Sequence, residues 1–212
     1  MRELDRKYRR RVDSLPAARR GEYDELREQS ARAEETRLIL PTAINARPLE
    51  KASTDQKHLY VAESDGLYPH VANGWEREIL DAELADPALL GWYRNPTGGR
   101  RALRIPYANE SEQAVYPDFI FFHRSADGEV SVSIVDPHGT HLADAVNKLR
   151  ALAAYAAKHG DIYARVDAVA KGTDGRLLRL NLCRVEQRTA ALDVRHTEDI
   201  DAAFEKYGSL YA

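Results

Sequence analysis

The sequence predicts an α/β or α+β sandwich built around a mixed sheet, and three observations support this fold class. A helical pattern precedes a series of short apolar runs, and a second, longer helical pattern follows those runs. Two further apolar runs then close the series. The 212 residues are 43% hydrophobic and 31% charged, which is typical of a globular chain that buries a core.

Residues 1–65 are expected to form a helical and extended N-terminal arm. Residues 1–35 are dense in charge and predict one or two helices, with Ser14 as an N-cap and Pro16 in the first turn. A short strand is expected at 36–40, followed by a linker at 42–56 and an edge strand or extended segment at 58–62.

The main domain is expected over residues 66–185, with a helical tail at 186–212. Residues 73–86 predict a helix, because Asn73 can cap it and its apolar side chains repeat at helical spacing. The remaining expected elements are strands at 90–95, 102–107, 118–124 and 130–136, a long helix at 141–158, and closing strands at 162–170 and 176–184.

The strands at 118–124 and 130–136 are expected to form a hairpin, because Asp127-Gly128 is a strong turn signal. If residues 126–128 form a three-residue loop, Gly128 takes a left-handed conformation and Asp118 lies directly opposite Asp136. A two-residue loop would send the two acids to opposite faces. We favour the three-residue loop, which puts both carboxylates on one face.

Two neighbouring carboxylates repel each other unless a cation lies between them. Asp118 and Asp136 therefore predict a site for Mg²⁺, or for Mn²⁺, since such ions are commonly held by one or two carboxylates. His138 follows two residues later and would share their face if the strand continued. Lys148 lies on the polar side of the following helix, from which it could reach the acids.

Other interpretations of these residues stay open at the level of sequence. Asp136 could cap the next helix, and Asp118 could pair with an arginine. His138 and His141 could also join Asp136 in a transition-metal site.

Aromatic and basic residues in and after the strand expected at 90–95 could contact nucleic acid. Trp92 and Tyr93 could stack on a base, although aromatic residues in strands usually belong to the core. Arg94, Arg100 and Arg101 lie around one turn, where they could contact phosphates or form a solvated loop.

Composition argues against several classes of protein. The net charge of -3 argues against a broad basic surface for nucleic acid, and no glycine-rich nucleotide-binding motif occurs. The single cysteine, Cys183, excludes an internal disulfide framework and suits a reducing cytosol. Without an 18-residue apolar span or a signal peptide, we expect a cytoplasmic protein with no membrane partner.

Several short motifs resemble the PD-(D/E)XK nuclease superfamily, above all "YPDF" followed by "IVDPHG". More narrowly, "WEREIL", "WYRNP", "LRIPY" and "DAVNKLRALAAYA" resemble the C-terminal nuclease domain of type III restriction enzymes and related helicase–nucleases. The resemblance covers about residues 66–185. It implies a restriction-endonuclease-like αβββαβ core with a mixed central sheet.

The resemblance also implies roles for individual residues. Glu76 matches the family's helical acid, Asp118 the aspartate of its PD, and Asp136 its second acid, so these three would hold the metal. His138 stands where the family has lysine, and Lys148 is the candidate to supply that lysine from the following helix.

The function implied by the resemblance is Mg²⁺-dependent cleavage of DNA within a restriction or defence system. A helicase or motor would be the partner, and a homodimer would suit paired cuts in a duplex. The alternative is a module that has lost catalysis and binds nucleic acid or docks to a helicase.

Overall fold

The computed structural model describes residues 40, 53–60, 66–98, 102–107, 110–137, 139 and 144–211. The helices expected over 1–35 and nearly all of the strand expected at 36–40 lie outside these ranges.

The described residues alternate short strands with four helices. The strands are β1 (Ser53–Asp55), β2 (Tyr68–His70), β3 (Leu89–Arg94), β4 (Ile105–Tyr107), β5 (Glu110–Val115), β6 (Phe119–Arg124), β7 (Val130–Pro137), β8 (Arg165–Lys171), β9 (Leu177–Asn181) and β10 (Ser209–Leu210). The helices are α1 (Gly74–Ala85), α2 (Ala145–His159), α3 (Val185–Asp193) and α4 (Thr197–Tyr207), with a 3₁₀ turn at Gly160–Ile162.

Six of the strands form a mixed central sheet in the order β10-β9-β8-β7-β6-β3. Strands β7 and β8 are parallel, and every other neighbouring pair is antiparallel. Helix α2 makes the crossover between the two parallel strands, as such a connection requires. The predicted α/β class with a mixed central sheet is therefore confirmed.

The sheet buries a hydrophobic core on each face, because successive strand residues point to opposite sides. On one side Ile120 and Ile134 pack with residues of α2, α3 and α4. On the other side Trp92, Phe119 and Val135 pack with α1. The aromatic residues of β3 belong to these cores, because Trp92 is 0% exposed and Tyr93 is 3% exposed. They are not placed to stack on a base.

The hairpin of β6 and β7 has the register that the three-residue loop predicts. Phe119 pairs with Val135, and Ile120 pairs with Ile134. The Ser125 amide donates to the Glu129 carbonyl at 2.9 Å, and Gly128 has φ +90°. The pairing confirms the loop over residues 126–128.

Replacing Gly128 by alanine should lower the free energy of unfolding by about 1–2 kcal/mol, because a Cβ disfavours left-handed backbone. Gly74 at the start of α1 is the matched control, since a Cβ there meets nothing within 4 Å and its φ is not positive. Urea unfolding followed by circular dichroism measures both variants. Equal stability of Gly128→Ala and the native chain would contradict the strained-turn interpretation.

Asn73 caps helix α1, as predicted, and it does so within a complete capping box. The Asn73 Oδ1 accepts from the amides of Trp75 and Glu76 at 3.0 Å each. The Glu76 Oε2 in turn accepts from the Asn73 amide at 2.8 Å. The box fixes the start of α1 and the direction of the Glu76 side chain.

The strand expected at 102–107 is shorter than predicted and lies outside the central sheet. Strand β4 pairs instead with β5, which the sequence pattern did not predict. The side chain of Asn95 explains part of this difference, because it pairs with both backbone groups of Leu103, at 2.8 and 3.0 Å. These bonds fix Leu103 beside Asn95, the residue that follows β3.

The segment before residue 66 contributes more structure than a linker. Strand β1, inside the expected linker, pairs with β2. Of the edge strand or extended segment expected at 58–62, residues 58–60 lie in the described ranges, and His58 forms a parallel bridge with Trp92 of β3. The Leu59 amide donates to the Trp92 carbonyl at 2.7 Å, and the Trp92 amide donates to the Lys57 carbonyl at 2.9 Å.

The expected helical tail is confirmed by α3 and α4, except that it ends in β10. The long helix is described over Ala145–His159, and its apolar side chains Leu149, Ala153 and Ala156 are buried. None of the helices in the described ranges combines the length and apolar composition needed to cross a bilayer.

Candidate active site

Asp118 and Asp136 lie at the same end of the β6–β7 hairpin. Asp118 directly precedes β6, and Asp136 is the residue after Val135 in β7. Since Phe119 pairs with Val135, the next step outward sets Asp118 opposite Asp136. This is the arrangement that the turn chemistry predicted.

The two acids open into one cleft of about 230 Å³ at this end of the sheet. Asp136 is nearly buried at 5% exposure, while the Asp118 side chain keeps 20%. The remaining residues around the cleft are Thr97, Ala114, Val115, Tyr116, Pro137, Gly139 and Lys148. The residues around the cleft therefore include two acids and one lysine.

Lys148, in the first turn of α2, also lies beside the cleft. Its Nζ lies 2.9 Å from the Asp144 Oδ2, one turn earlier on the helix, and its side chain is 25% exposed. Asp144, and not Asp136, stands at the N-cap of α2. The interpretation of Asp136 as the helix cap is thus wrong.

Arg94 connects Asp118 to Glu76. Its Nη2 lies 2.9 Å from the Asp118 Oδ1 and donates to the Glu76 Oε1 at 2.8 Å. The guanidinium also stacks 4.7 Å above the ring of Phe119. Asp118 therefore pairs with an arginine, which is the alternative to metal binding that the sequence left open. Arg94 was a candidate for phosphate contact, and in the structure its guanidinium contacts Glu76 and Asp118.

Glu76 has a structural role at the start of α1. One oxygen completes the capping box at Asn73, and the other accepts from Arg94. Glu76 lies close to Asp118 through this shared arginine, and it does not line the cleft. The structure thus brings Asp118, Asp136 and Lys148 together and places Glu76 behind them.

Four residues proposed from sequence lie outside the described ranges, namely His138, His141, Arg100 and Arg101. Within those ranges, no group of three or more His, Cys, Asp or Glu side chains is arranged to hold a metal ion. The donor chemistry of the cleft nevertheless fits a magnesium-type ion, because such ions need only one or two carboxylates besides water and phosphate oxygens.

A second charged group, not predicted from the sequence, lies on the α1 face of the sheet. Glu83 of α1 lies 3.0 Å from His123 Nε2 and contacts both Arg165 and Tyr211. Burial alone would raise the pKa of Glu83, but His123, Arg165 and Tyr211 outweigh burial and lower that pKa. We call Glu83, His123, Arg165, Asp167 and Tyr211 the buried charge network.

Asp167 is the most deeply buried member of this network, with 0% exposure. Neither carboxylate oxygen has a hydrogen-bond partner within the described structure, although Arg165 Nε lies at 3.5 Å and Arg179 Nη1 at 3.9 Å. Burial raises the pKa of Asp167 to about 7 against the pull of the two arginines. The sequence does contain a sign of this buried acid, because the aspartate in "RVDAVA" interrupts an otherwise apolar strand.

The fold and the cleft define a mixed α/β protein with a carboxylate–lysine cleft at one end of its central sheet. The model of the YagJ family matches residues 56–212. Protein YagJ of Escherichia coli (strain K12) is 33% identical over 201 residues, which cover 91% of this chain and 82% of that protein. The chain belongs to the YagJ family. No solved structure matches it.

Proposed function

We propose that this protein is a divalent-metal-dependent DNA endonuclease whose active site contains Asp118, Asp136 and Lys148. The observation that carries the proposal is the presence of all three side chains around one cleft. They come from three separate elements, the start of β6, the end of β7 and the first turn of α2. A single charged loop would not bring together side chains from three separate elements.

The order of elements supports the finer fold assignment that the resemblance implies. Apart from the β4–β5 pair inserted between β3 and β6, the chain order is helix α1, central-sheet strands β3, β6 and β7, helix α2 and strand β8. This is the αβββαβ order of a restriction-endonuclease-like core. DNA as the substrate, a helicase partner, a homodimer, a defence role and a cytoplasmic location come from the resemblance and are proposed on that basis.

Each side chain of the cleft has a chemical task in this proposal. Asp118 and Asp136 would hold the cation, which when bound polarises a phosphate and lowers the pKa of a water molecule. Lys148 would donate to the non-bridging oxygens and stabilise the negative charge that develops on the phosphoryl group. Lys148 takes this task in place of a strand lysine, and His138 is the alternative donor.

The direct test is nicking of a supercoiled plasmid by the purified chain in the presence of Mg²⁺ or Mn²⁺. We expect open-circular product that disappears when the cation is chelated and returns when it is restored in excess. Calorimetric titration with MnCl₂ should detect binding independently of cleavage. A chain that neither cleaves nor binds the cation would rule out the proposal.

Replacement of Lys148 by methionine should lower the cleavage rate by about a hundredfold, while cation affinity stays similar or increases. Methionine keeps the length of the stem and removes the ammonium. Lys158→Met, near the far end of the same helix, is the matched control and should cleave at the native rate. If Lys148→Met cleaves normally, the donor is another residue, and His138→Ala becomes the variant to measure.

One observation favours a second candidate function, in which the fold has lost catalysis and serves to bind nucleic acid or dock to a helicase. The Arg94 guanidinium already supplies Asp118 with a counter-charge, so the acids can be stable without any metal. Cation binding separates the two candidates, because a purely structural acid pair has no affinity for Mn²⁺ that depends on Asp118 and Asp136.

A further inference from the structure

Arg94 is held at the edge of the acid pair by several independent contacts. Its Nη2 lies between the Glu76 Oε1 and the Asp118 Oδ1, at 2.8 and 2.9 Å. Its guanidinium rests on the Phe119 ring. The backbone is fixed as well, because the amide of Asn95 donates to the Asp118 carbonyl at 3.0 Å. A permanent positive charge therefore sits against one of the two proposed cation ligands.

The guanidinium is nevertheless incompletely bonded where it lies. Its Nη1 is buried and has no hydrogen-bond partner in the described part of the chain. Both acids contact the same nitrogen, Nη2, so neither forms the two-nitrogen pairing that suits a carboxylate and a guanidinium. The charge of the acids, more than bonding geometry, therefore keeps Arg94 in this position.

A divalent cation and Arg94 make competing demands on Asp118. A cation bound to the Asp118 carboxylate would stand close to a group that cannot lose its own charge. Glu76 offers a second anchor that remains for Arg94, because its other oxygen is held by the Asn73 amide. The arginine can thus leave Asp118 without becoming wholly unpaired.

We propose that Arg94 is an internal counter-cation that occupies Asp118 in the absence of metal and is displaced from it when a divalent cation binds. The inference rests on the proposed function, because it takes the acid pair as the cation site. Once displaced, the guanidinium and its unbonded Nη1 become available to a phosphate oxygen of the substrate, the class of ligand for which arginine is well suited. In this scheme Arg94 neutralises Asp118 before metal binds and contacts the substrate phosphate afterwards.

The test is calorimetric titration of the full chain with MnCl₂. Arg94→Gln should bind Mn²⁺ about tenfold more tightly than the native chain, since a neighbouring charge typically shifts carboxylate occupancy by at least that factor. Arg94→Lys keeps the competing charge and should stay near the native affinity. Arg77→Gln is the matched control, because Arg77 also bridges two acids, Asp55 and Asp81, away from the cleft.

A second measurement uses the native chain and does not depend on the stability of any variant. In a ¹⁵N spectrum of the arginine side chains, Mg²⁺ should shift the Arg94 Nε signal, identified by its loss in Arg94→Lys. The Arg77 signal should stay in place.

The possible outcomes separate this inference from the proposed function. Equal or weaker Mn²⁺ affinity in Arg94→Gln, or an unchanged Arg94 signal in Mg²⁺-bound protein, would overturn the inference and leave the cation site intact. If the native chain and every variant fail to bind either cation, the cation site and the inference both fall. Tighter binding confined to Arg94→Gln supports displacement.

Discussion

Asp136→Asn and Asp118→Asn are each expected to reduce metal-dependent plasmid cleavage by about 10³-fold or more. Asparagine keeps the shape of the side chain and removes the charge that would hold the cation. The loss is expected to be large because the cation supplies both charge stabilisation and an activated water. Cleavage rates measured at saturating Mg²⁺, together with Mn²⁺ titration, report the two effects separately.

The control for these variants lies on the same hairpin. Asp127 is in the exposed turn, where its side chain accepts from the Glu129 amide at 3.2 Å and also contacts Ser125. Asp127→Asn should cleave at the native rate, which excludes a general effect of altered hairpin charge. Cleavage that persists in folded Asp118→Asn and Asp136→Asn would show that the nuclease activity does not come from this cleft.

Asp167→Asn is expected to raise the free energy of unfolding at pH 8 by about 2–4 kcal/mol. The folded-state pKa of Asp167, about 7, lies above the ordinary value of 3.8, so folding favours the protonated form. The associated stability is fully present below about pH 4 and is lost as the pH rises through 7. The increase in the free energy of unfolding of Asp167→Asn over the native chain should therefore be largest at alkaline pH and vanish near pH 4.

Between pH 4 and 6.5, His58 changes the free energy of unfolding with pH in the direction opposite to Asp167. Burial lowers the pKa of His58 to about 4 from its ordinary value of 6.5. The stability associated with neutral His58 is present above pH 6.5 and is lost as the pH falls toward 4. The native chain should thus show a shallow pH dependence between 4 and 6.5, and Asp167→Asn should become clearly more stable as the pH rises through that range.

Urea unfolding at pH 5, 6, 7 and 8 measures this behaviour, with Asp161→Asn as the control at an exposed position. The control should follow the native curve. If Asp167→Asn is destabilised equally at every pH, Asp167 is ionised throughout, and its attraction to Arg165 and Arg179 outweighs the cost of burial.

The parts of the fold that the sequence predicted are those governed by local chemistry. Asn73 specifies the start of α1 and Gly128 specifies a turn, and both act within a few residues. Strand β5 was missed because "ESEQAV" lacks the alternation of apolar and polar residues that marks a half-buried strand. Among the described strands it pairs with β4 alone, outside the central sheet, so no second neighbour there imposes such a pattern.

In the candidate site, too, the features set by local sequence were predictable, and those set by the packing of separate elements were not. The opposition of Asp118 and Asp136 follows from counting outward along one hairpin, and the place of Lys148 beside the same cleft follows from the periodicity of one helix. The contacts of Arg94 could not be predicted, because they depend on how α1 and β3 pack against the start of β6. Side chains that meet across three elements leave no spacing in the sequence by which to recognise them.

The covered edges of the central sheet limit how two copies of this chain could associate. Residues 57–59 bond to the outer side of β3, and β10 covers part of β9 with only two residues. Exposed sheet edges invite pairing with other chains, and short or covered edges suppress it. Two copies of this chain are therefore not expected to associate by extending one central sheet into the next.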